Sequence, residues 1–257
     1  MNVGLDHKNA LVCGSTQGIG KAIAIELAKC GASVTLMARN EDLLKKTVNE
    51  LEGKEHNYLV ADFSDFATVE AHREKIREGN YHILINNAGG PPPGPASAAD
   101  WSEYEKALTM HLKVSHHLMQ WVVPSMRNHQ YGRIINVIST SVRIPIKGLG
   151  VSNTVRGGMA SWSKSISNEL AAEGITVNNI LPGPIETQRL FAIIKGTAQK
   201  KGISEEASAA QMKETVPAGR FGKPEELGYL AAFLCSAYAS YINGVSIPVD
   251  GGRTGSL

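Results

Sequence analysis

The sequence predicts an α/β fold, a doubly wound parallel sheet with helices on both faces, and three observations predict it. Short β-rich runs alternate with longer helical patterns along most of the 257 residues, which is typical of parallel strands joined by crossover helices. The runs 83–85 and 134–137 are almost continuously apolar, as expected of strands buried on both faces. A glycine-rich turn, Cys13–Gly20, lies between the first strand and the first helix.

The elements follow one another in regular order, the β-rich runs giving the strands and the helical apolar spacing giving the helices. We place strands at 8–13, 33–38, 57–61, 82–86, 132–138, 175–181 and 245–249. We place helices at 18–30, 41–52, 65–78, 101–128, 152–173 and 224–236.

Two segments stand apart from this alternation. Residues 188–215 are helical in pattern but lie between two sheet elements, and we interpret them as a small helical flap over a ligand. Solvated helices, with their lysines in water, are the alternative. Residues 89–95 read Gly-Gly-Pro-Pro-Pro-Gly-Pro and are interpreted as a stiff loop leaving the sheet edge, with a docking site for polyproline-binding domains as the alternative.

Length and composition exclude several classes of protein. The length fits a single domain spanning 1–257 better than two small ones. A net charge of +2, with no basic face, argues against a nucleic-acid or membrane partner, and no stretch approaches the ~20 apolar residues of a membrane span. The three cysteines have no metal-type spacing, so we expect no metal site and reduced thiols in a cytoplasm.

The glycine-rich turn predicts a phosphate-binding site. Gly14 permits the tight turn, Gly18 lets backbone N–H groups approach a pyrophosphate, and Gly20 lets the helix pack closely on the strand. The N-terminus of the following helix adds unpaired N–H donors and a partial positive charge. An ordinary turn is the alternative for the glycine spacing alone, and the flanking strand and helix favour the phosphate site.

From about residue 5 to residue 253 the chain resembles the short-chain dehydrogenase/reductase family, and in pattern most closely the 3-oxoacyl-carrier-protein reductases, which use NADPH. This resemblance implies a Rossmann-type fold, a nicotinamide dinucleotide cofactor and a homotetramer, with a dimer as the alternative. The matching motifs, in order, are Gly14–Gly20, Asn86–Gly89, Gly132–Asn136, Ile175–Asn178, Leu181–Gly183 and Val249–Gly252.

The end of the second strand indicates which cofactor is bound. An acidic residue there would bind the ribose 2′-hydroxyl of NAD, whereas Arg39 suits the 2′-phosphate of NADP. NADP is therefore favoured over NAD, although Gln17 stands where NADP-using relatives often carry a second cation, and a solvated Arg39 is the alternative. The resemblance places the cofactor contacts at Gly14, Ser15, Thr16, Gln17, Gly18, Ile19, Gly20, Arg39, Asp62, Phe63, Asn87, Ala88, Gly89, Arg156, Ile185 and Thr187.

Within that set the resemblance assigns each later position to a part of the cofactor. Asp62 and Phe63 match the family's adenine contact, and the loop 87–89 would line the adenosine ribose. Ile185 and Thr187 would reach the nicotinamide amide and a phosphate. For Ile185, plain loop packing is the alternative.

The catalytic residues of the family do not match in this chain. The family uses an asparagine, a serine and a Tyr-x-x-x-Lys pair, which the i, i+4 spacing places on one helix face. In register, the serine is Ser139, the tyrosine position holds Ser152, the lysine position holds Arg156 and the asparagine position holds His111. An aliphatic hydroxyl is a far weaker acid than a phenol, and an arginine keeps its charge but cannot shuttle protons.

His111 offers a route to catalysis because an ordinary histidine titrates near neutral pH. We expect it to supply a proton, through Ser152 or a water molecule, while Arg156 and Ser139 hold a carbonyl oxygen. A packing or interface histidine is the alternative.

Two functions follow from these residues. The first is an NADP-dependent oxidoreductase, resembling 3-oxoacyl reductases, that acts on a small-molecule carbonyl or alcohol. The second is a non-catalytic NADP-binding module with a sensing or structural role. A carrier-bound substrate is weakly supported, because the positions of two family arginines hold Gln130 and Glu173, with Arg127 nearby. Trp121 and Trp162 are read as core or interface residues.

Overall fold

The computed structural model describes residues 3–256. It contains a seven-stranded sheet with the strand order β3-β2-β1-β4-β5-β6-β7, and every strand pairs in parallel with its neighbours. The strands are β1 Asn9–Cys13, β2 Ser33–Ala38, β3 Asn57–Val60, β4 Ile83–Asn86, β5 Gly132–Val137, β6 Ile175–Pro182 and β7 Ser246–Val249.

Helices cover both faces of the sheet, so the predicted fold class is confirmed. The helices are α1 Gly18–Lys29, α2 Glu41–Val48, α3 Phe66–Glu70, α4 Arg73–Glu78, α5 Trp101–Leu108, α6 Val114–Asn128, α7 Gly150–Leu170, α8 Gln188–Lys201, α9 Glu205–Glu214 and α10 Pro224–Cys235. Within residues 3–256, no helix combines the length and the apolar character that a membrane crossing requires.

Two apolar clusters form the core, one on each face of the sheet. The first packs α1 and α10 against the strands, with Leu27 and Leu227 fully buried. The second packs α4, α6 and α7 against the other face, with Leu118 and Val122 fully buried. Each such side chain contributes roughly 1.5–3 kcal/mol by leaving water, so the layers hold the sheet and its edge in place.

Three predicted helices are interrupted. The segment 65–78 forms two helices, and at the break between them His72 Nε2 lies 2.9 Å from the carbonyl oxygen of Val60. The segment 101–128 contains a π-helical turn at Thr109–Lys113, and the segment 188–215 divides where the Ser204 side chain caps a new helix. The interruptions leave the order of elements unchanged.

A chain of side-chain hydrogen bonds crosses the sheet from β4 to β7. Asn86 Nδ2 donates to Asn136 Oδ1 at 2.8 Å, and Asn136 Nδ2 donates to Asn179 Oδ1 at 3.1 Å. Asn179 Nδ2 continues to Ser246 Oγ at 3.0 Å. Because these residues are direct partners in the strand register, the chain fixes four strands relative to one another.

The proline-rich loop at 89–95 is held against the segment that precedes α7. Gly94 N donates to Gly148 O at 2.8 Å, and Gly150 N donates back to Gly94 O at 2.9 Å. These bonds agree with the stiff loop that the sequence predicts, and they bring it to the same side of the molecule as the start of α7.

Candidate active site

The predicted site residues come together at the carboxyl edge of the sheet. The strand order reverses between β1 and β4, and ligands of open parallel sheets bind in the crevice at such a point. The segments that follow the central strands β1, β4, β5 and β6 all open onto this edge. They are 14–18, 87–95, 138–143 and 183–187.

The glycine-rich turn is locked against the loop after β4. Asn87 Nδ2 donates to Cys13 O at 3.3 Å and to Gly14 O at 3.2 Å. Gly14 has a φ of 58°, and a Cβ there would lie 2.5 Å from Asn87 O, so a side chain does not fit. The turn conformation therefore depends on glycine and on Asn87.

The N-terminus of α1 has the features of an anion site. No side chain of the N-cap residue Gln17 bonds the first turn, and the first turn holds no acidic residue. A Cβ on Gly18 would lie 3.1 Å from Thr187 Cγ2, so the turn and Thr187 form two sides of one groove. Free N–H donors without a repelling carboxylate fit the pyrophosphate of a dinucleotide.

Not every residue of the turn is free to contact a ligand. Ser15 is fully buried, and its hydroxyl accepts a hydrogen bond from Met37 N at 3.1 Å, which ties the turn to β2. Thr16 and Ile19 are half-buried. Ile185 is 4% exposed and packs in the apolar core, which favours the packing interpretation for its side chain.

Arg39 and Asp62 lie at the far end of the groove. Arg39 is exposed directly after β2. The pKa of Asp62 lies below its usual range, chiefly because the Ser64 backbone N–H and hydroxyl bond its carboxylate, with a smaller effect of Arg39. Phe63 is 8% exposed and packs in the core. The loop 87–89 is partly exposed between this end and the catalytic face.

Ser152 and Arg156 lie one turn apart on α7, and both are 7% exposed. Arg156 Nη1 donates to Val137 O at 2.9 Å, which places the guanidinium at the carboxyl end of β5. Ser139 lies two residues beyond, where its Oγ accepts from Ser141 N at 3.1 Å and caps a short turn. The helix face that the i, i+4 spacing predicts is thus directed toward the end of β5.

Arg156 is a buried cation with an open donor. Burial, with a smaller effect of the nearby charge of Arg189, lowers the pKa of Arg156 to about 10, so the guanidinium still carries its charge at pH 7. Its Nε is buried and has no hydrogen-bond partner within residues 3–256. A charged donor remains available at this point of the site.

His111 lies in the π-helical turn and is 4% exposed. Burial holds the pKa of His111 well below its usual range, the charges of Arg156 and Arg189 lower it further, and a hydrogen bond with the Gly89 backbone opposes the shift. The expectation that His111 titrates near neutral pH was therefore wrong, because sequence does not show burial. The ring is neutral at pH 7, with one N–H donor and one acceptor nitrogen.

A small cavity adjoins the ring of His111. The Nε2 atom is buried and, among the described residues, has no hydrogen-bond partner. The volume open to the centre of a water-sized sphere is about 10 Å³, close to what one water needs, and the lining includes Asn87, Ala88, His111 and Val137. A bound water at this point would satisfy Nε2.

Among the described residues, none of those that line the His111 cavity is a tyrosine. Tyr104 packs in the cluster with Val151 and Val155, and the Tyr131 hydroxyl donates to the carbonyl oxygen of Cys235.

Arg189, in the first turn of α8, is a site residue that sequence reasoning missed. Its Nη1 donates to Gly90 O at 2.9 Å and its Nη2 to Pro91 O at 3.3 Å, so it joins the flap to the proline-rich loop. The sequence contained a signal for this role, because the helix dipole disfavours a cation in the first turn of a helix. An arginine at that position therefore indicates a contact elsewhere.

A family model described as Enoyl-(Acyl carrier protein) reductase matches residues 14–254, nearly the whole chain. The chain belongs to the short-chain dehydrogenase/reductase family. It is 31% identical over 259 residues to the NADPH-dependent reductase BacG of Bacillus subtilis, which covers 98% of this chain and 100% of that protein. It is 34% identical over 250 residues to the 3-oxoacyl-[acyl-carrier-protein] reductase FabG of Haemophilus influenzae, with 96% and 98% covered.

Solved structures share the fold of this short-chain dehydrogenase/reductase. The L-sorbose reductase of Gluconobacter frateurii, in complex with NADPH and L-sorbose, superposes with a TM-score of 0.94 at 31% identity and covers 100% of both chains. The family is therefore established for this chain, and the relatives that it matches are reductases.

Arg127 and Glu173 form an ion pair on the surface of the protein. Arg127 Nε contacts Glu173 Oε2 at 2.5 Å, and Arg127 Nη2 contacts Glu173 Oε1 at 3.0 Å. The ion pair occupies the guanidinium of Arg127, which stands near the positions where the resemblance implies carrier-binding arginines.

Proposed function

We propose that the protein is an NADP(H)-dependent oxidoreductase that reduces a small-molecule carbonyl or oxidises the corresponding alcohol. The observation that carries this proposal is the groove between the acid-free N-terminus of α1 and Thr187, with Arg39 exposed at its far end. The NADPH-dependent relative and the NADPH-bound neighbour in structure support the choice of cofactor.

The residues present fit that cofactor. Backbone N–H groups of the turn and of α1 would hold the pyrophosphate, and Thr187 would close the groove over it. The guanidinium of Arg39 would bind the 2′-phosphate, which an acidic residue would repel. Bound NADP would supply or accept a hydride.

Arg156 and Ser139 would stabilise the reacting oxygen. A carbonyl oxygen gains negative charge during reduction, and a charged donor in a buried site stabilises that charge strongly. Arg156 has its Nε open for this purpose, and the Ser139 hydroxyl lies at the same strand end. Arg156 does not release a proton at pH 7, so it acts through its charge alone.

The proton would come from a water that His111 holds. The neutral ring offers an unpartnered Nε2 beside a cavity of about one water's size. The hydroxyl of Ser152 would pass the proton onward but is too weak an acid to replace a phenol. This arrangement predicts slower turnover than a tyrosine would give, since general acid catalysis contributes roughly 10²–10⁴-fold.

A non-catalytic NADP-binding module is the second candidate. The observation that favours it is the absence of a tyrosine from the residues that line the His111 cavity within the described chain. Stopped-flow absorbance of NADPH with excess protein and a panel of ketones and aldehydes separates the two. Oxidation of NADPH with any substrate supports the enzyme, whereas tight binding without oxidation on the whole panel supports the module.

We propose a single domain, 1–257, with 188–215 as its substrate flap, and a free rather than carrier-bound substrate. The pairing of Arg127 with Glu173 supports the last point, because an acidic carrier gains little from a neutralised arginine. The three free cysteines support a cytoplasmic location.

We also propose a homotetramer that is built on the outer faces of α6 and α7. Trp121 is 6% exposed and borders an outer groove with His117, whereas Trp162 is half-buried with an unpartnered Nε1. Light scattering coupled to size-exclusion chromatography tests this, and a monomeric mass contradicts it.

A further inference from the structure

The charges of Arg156 and Arg189 lie near the neutral ring of His111, at the proposed substrate site. The positive charges of Arg156 and Arg189 lower the pKa of His111, and the charge of Arg189 also lowers the pKa of Arg156. The ion pairs of the described residues include none of the three. No carboxylate is among the groups that shift the pKa values of the three.

Positive charge that is withdrawn from water costs free energy unless a bound anion balances it. Removing a guanidinium from water without a counter-charge costs free energy, and the carbonyl bonds that Arg156 and Arg189 make compensate only in part. Nε of Arg156 remains unbonded although it is buried. Arg189 is exposed overall, although partial burial still lowers its pKa.

The anionic groups of the proposed cofactor have other partners. The pyrophosphate would lie at the N-terminus of α1, and the 2′-phosphate would lie beside Arg39. Arg189 is directed instead toward the proline-rich loop, where its guanidinium lies against Gly90. The positive charges of Arg156 and Arg189 are therefore available to bind an anionic group of the substrate.

We propose that the substrate carries a carboxylate that is bound by Arg189, with Arg156 contributing to its electrostatic stabilisation, so that the protein acts on small oxo- or hydroxycarboxylic acids. This inference rests on the proposed oxidoreductase function. A guanidinium presents a planar fork of donors that matches a carboxylate, and two of them favour an anion over its neutral ester. The bridging position of Arg189 also places the flap and the proline-rich loop around the bound acid.

Binding measurements on a matched pair of ligands test the proposal. Isothermal titration calorimetry of the protein saturated with NADP⁺ compares 2-oxopentanoate with methyl 2-oxopentanoate. The variants are Arg189→Met, Arg189→Lys as the charge-preserving form, and Lys195→Met as the control, since Lys195 is an exposed cation on the same helix.

We expect the wild type to bind the acid at least about tenfold more tightly than the ester, as a charge-assisted pair would give. Arg189→Met should lose that preference, Arg189→Lys should keep part of it, and Lys195→Met should match the wild type. NADP⁺ affinity should be unchanged in all three variants.

Two results would overturn the carboxylate proposal: equal affinity of the wild type for acid and ester, or a loss of NADP⁺ affinity in Arg189→Met, which would assign that guanidinium to the cofactor. Failure of the wild type to bind NADP⁺ would instead contradict the proposed function, and the same titration without NADP⁺ would still show whether the acid is preferred. Thermal unfolding of each variant confirms that it is folded.

Discussion

Arg156 Nη1 donates a hydrogen bond to the carbonyl oxygen of Val137 at 2.9 Å. This contact fixes the guanidinium to the last residue of β5, so the sheet sets the position of the positive charge. Because β5 also leads directly to Ser139, the charge and the hydroxyl share one rigid support. Preorganised charge of this kind stabilises a transition state without reorganising when the reaction occurs.

Removal of the Arg156 charge should therefore suppress catalysis. We expect Arg156→Met to lower kcat by about 10²-fold or more, the usual effect of losing a donor to a developing oxyanion. Arg156→Lys keeps the charge at the end of β5 and should retain part of the activity. Steady-state kinetics with a substrate found in the ketone panel measures both, and equal activity of Arg156→Met and the wild type would contradict the assigned role.

His111 should act as a neutral group throughout the physiological range. Its pKa lies well below the ordinary value through burial, so the ring stays neutral from about pH 6.5 upward. We expect the wild-type rate to show no inflection near pH 6.5. His111→Leu, which holds no water, should lose about 10²-fold in kcat, whereas His111→Asn supplies a donor and an acceptor and should retain more.

The half-buried His116 on the same stretch of chain provides the control, and His116→Asn should behave as the wild type does. A wild-type inflection near pH 6.5 that disappears in His111→Asn would show that the ring titrates during catalysis, against this prediction.

His82 should make the fold less stable in acid. Burial lowers the pKa of His82 to about 4, with smaller effects of His129 and Lys8. Its Nδ1 accepts a hydrogen bond from Asn9 N at 3.1 Å, which requires the unprotonated nitrogen. Because the unfolded chain binds this proton near pH 6.5 and the folded chain does not, the free energy of unfolding should fall as the pH drops from about 6.5 toward 4.

His82→Asn keeps an acceptor for Asn9 but no titrating ring, so it should show a smaller fall over that interval. Urea unfolding at pH 7 and pH 5 measures the difference. An identical pH dependence in the wild type and in His82→Asn would exclude His82 as a source of acid sensitivity.

The elements and the position of the site were predictable because they depend on local patterns. Alternating strands and helices give the parallel sheet, and the glycine turn gives the end of β1. The interruptions were not predictable, since the π-helical turn at Thr109–Lys113 forms within an unbroken helical pattern and places His111 in the interior.

Long-range contacts account for the other misses. Arg189 bonds the carbonyl of Gly90, a residue 99 positions away, and no local pattern contains that information. The burial of Phe63, and the use of the Ser15 hydroxyl by Met37, likewise depend on how the layers pack. The resemblance predicts which segments lie at the proposed site but contains no information on the direction of each side chain.

Gly18 should be required for the cofactor more than for the fold. Its φ of 54° costs a non-glycine residue about 1 kcal/mol, and a Cβ would lie 3.1 Å from Thr187 Cγ2 across the groove. Gly18→Ala should therefore lower NADPH affinity by about tenfold or more, which fluorescence titration measures, with a modest loss of stability. In Gly196→Ala, a Cβ meets nothing within 4 Å, so this helix variant should bind NADPH normally.

Arg39 should decide between NADP and NAD. It is exposed after β2, with the carboxylate of Asp62 near enough to respond to its charge. Replacing it by aspartate puts an acid where the 2′-phosphate would lie and where a ribose hydroxyl would be bound instead. We expect Arg39→Asp to weaken NADPH binding by about 10²-fold, because a charge-assisted pair is lost and a repulsion is added. NADH binding should be equal or improved.

Fluorescence titration with both nucleotides measures this preference, with Lys46→Asp on the neighbouring helix α2 as the charge-matched control. Parallel losses of NADPH affinity in both variants would show a general electrostatic effect, and an unchanged preference in Arg39→Asp would assign the 2′-phosphate to another residue.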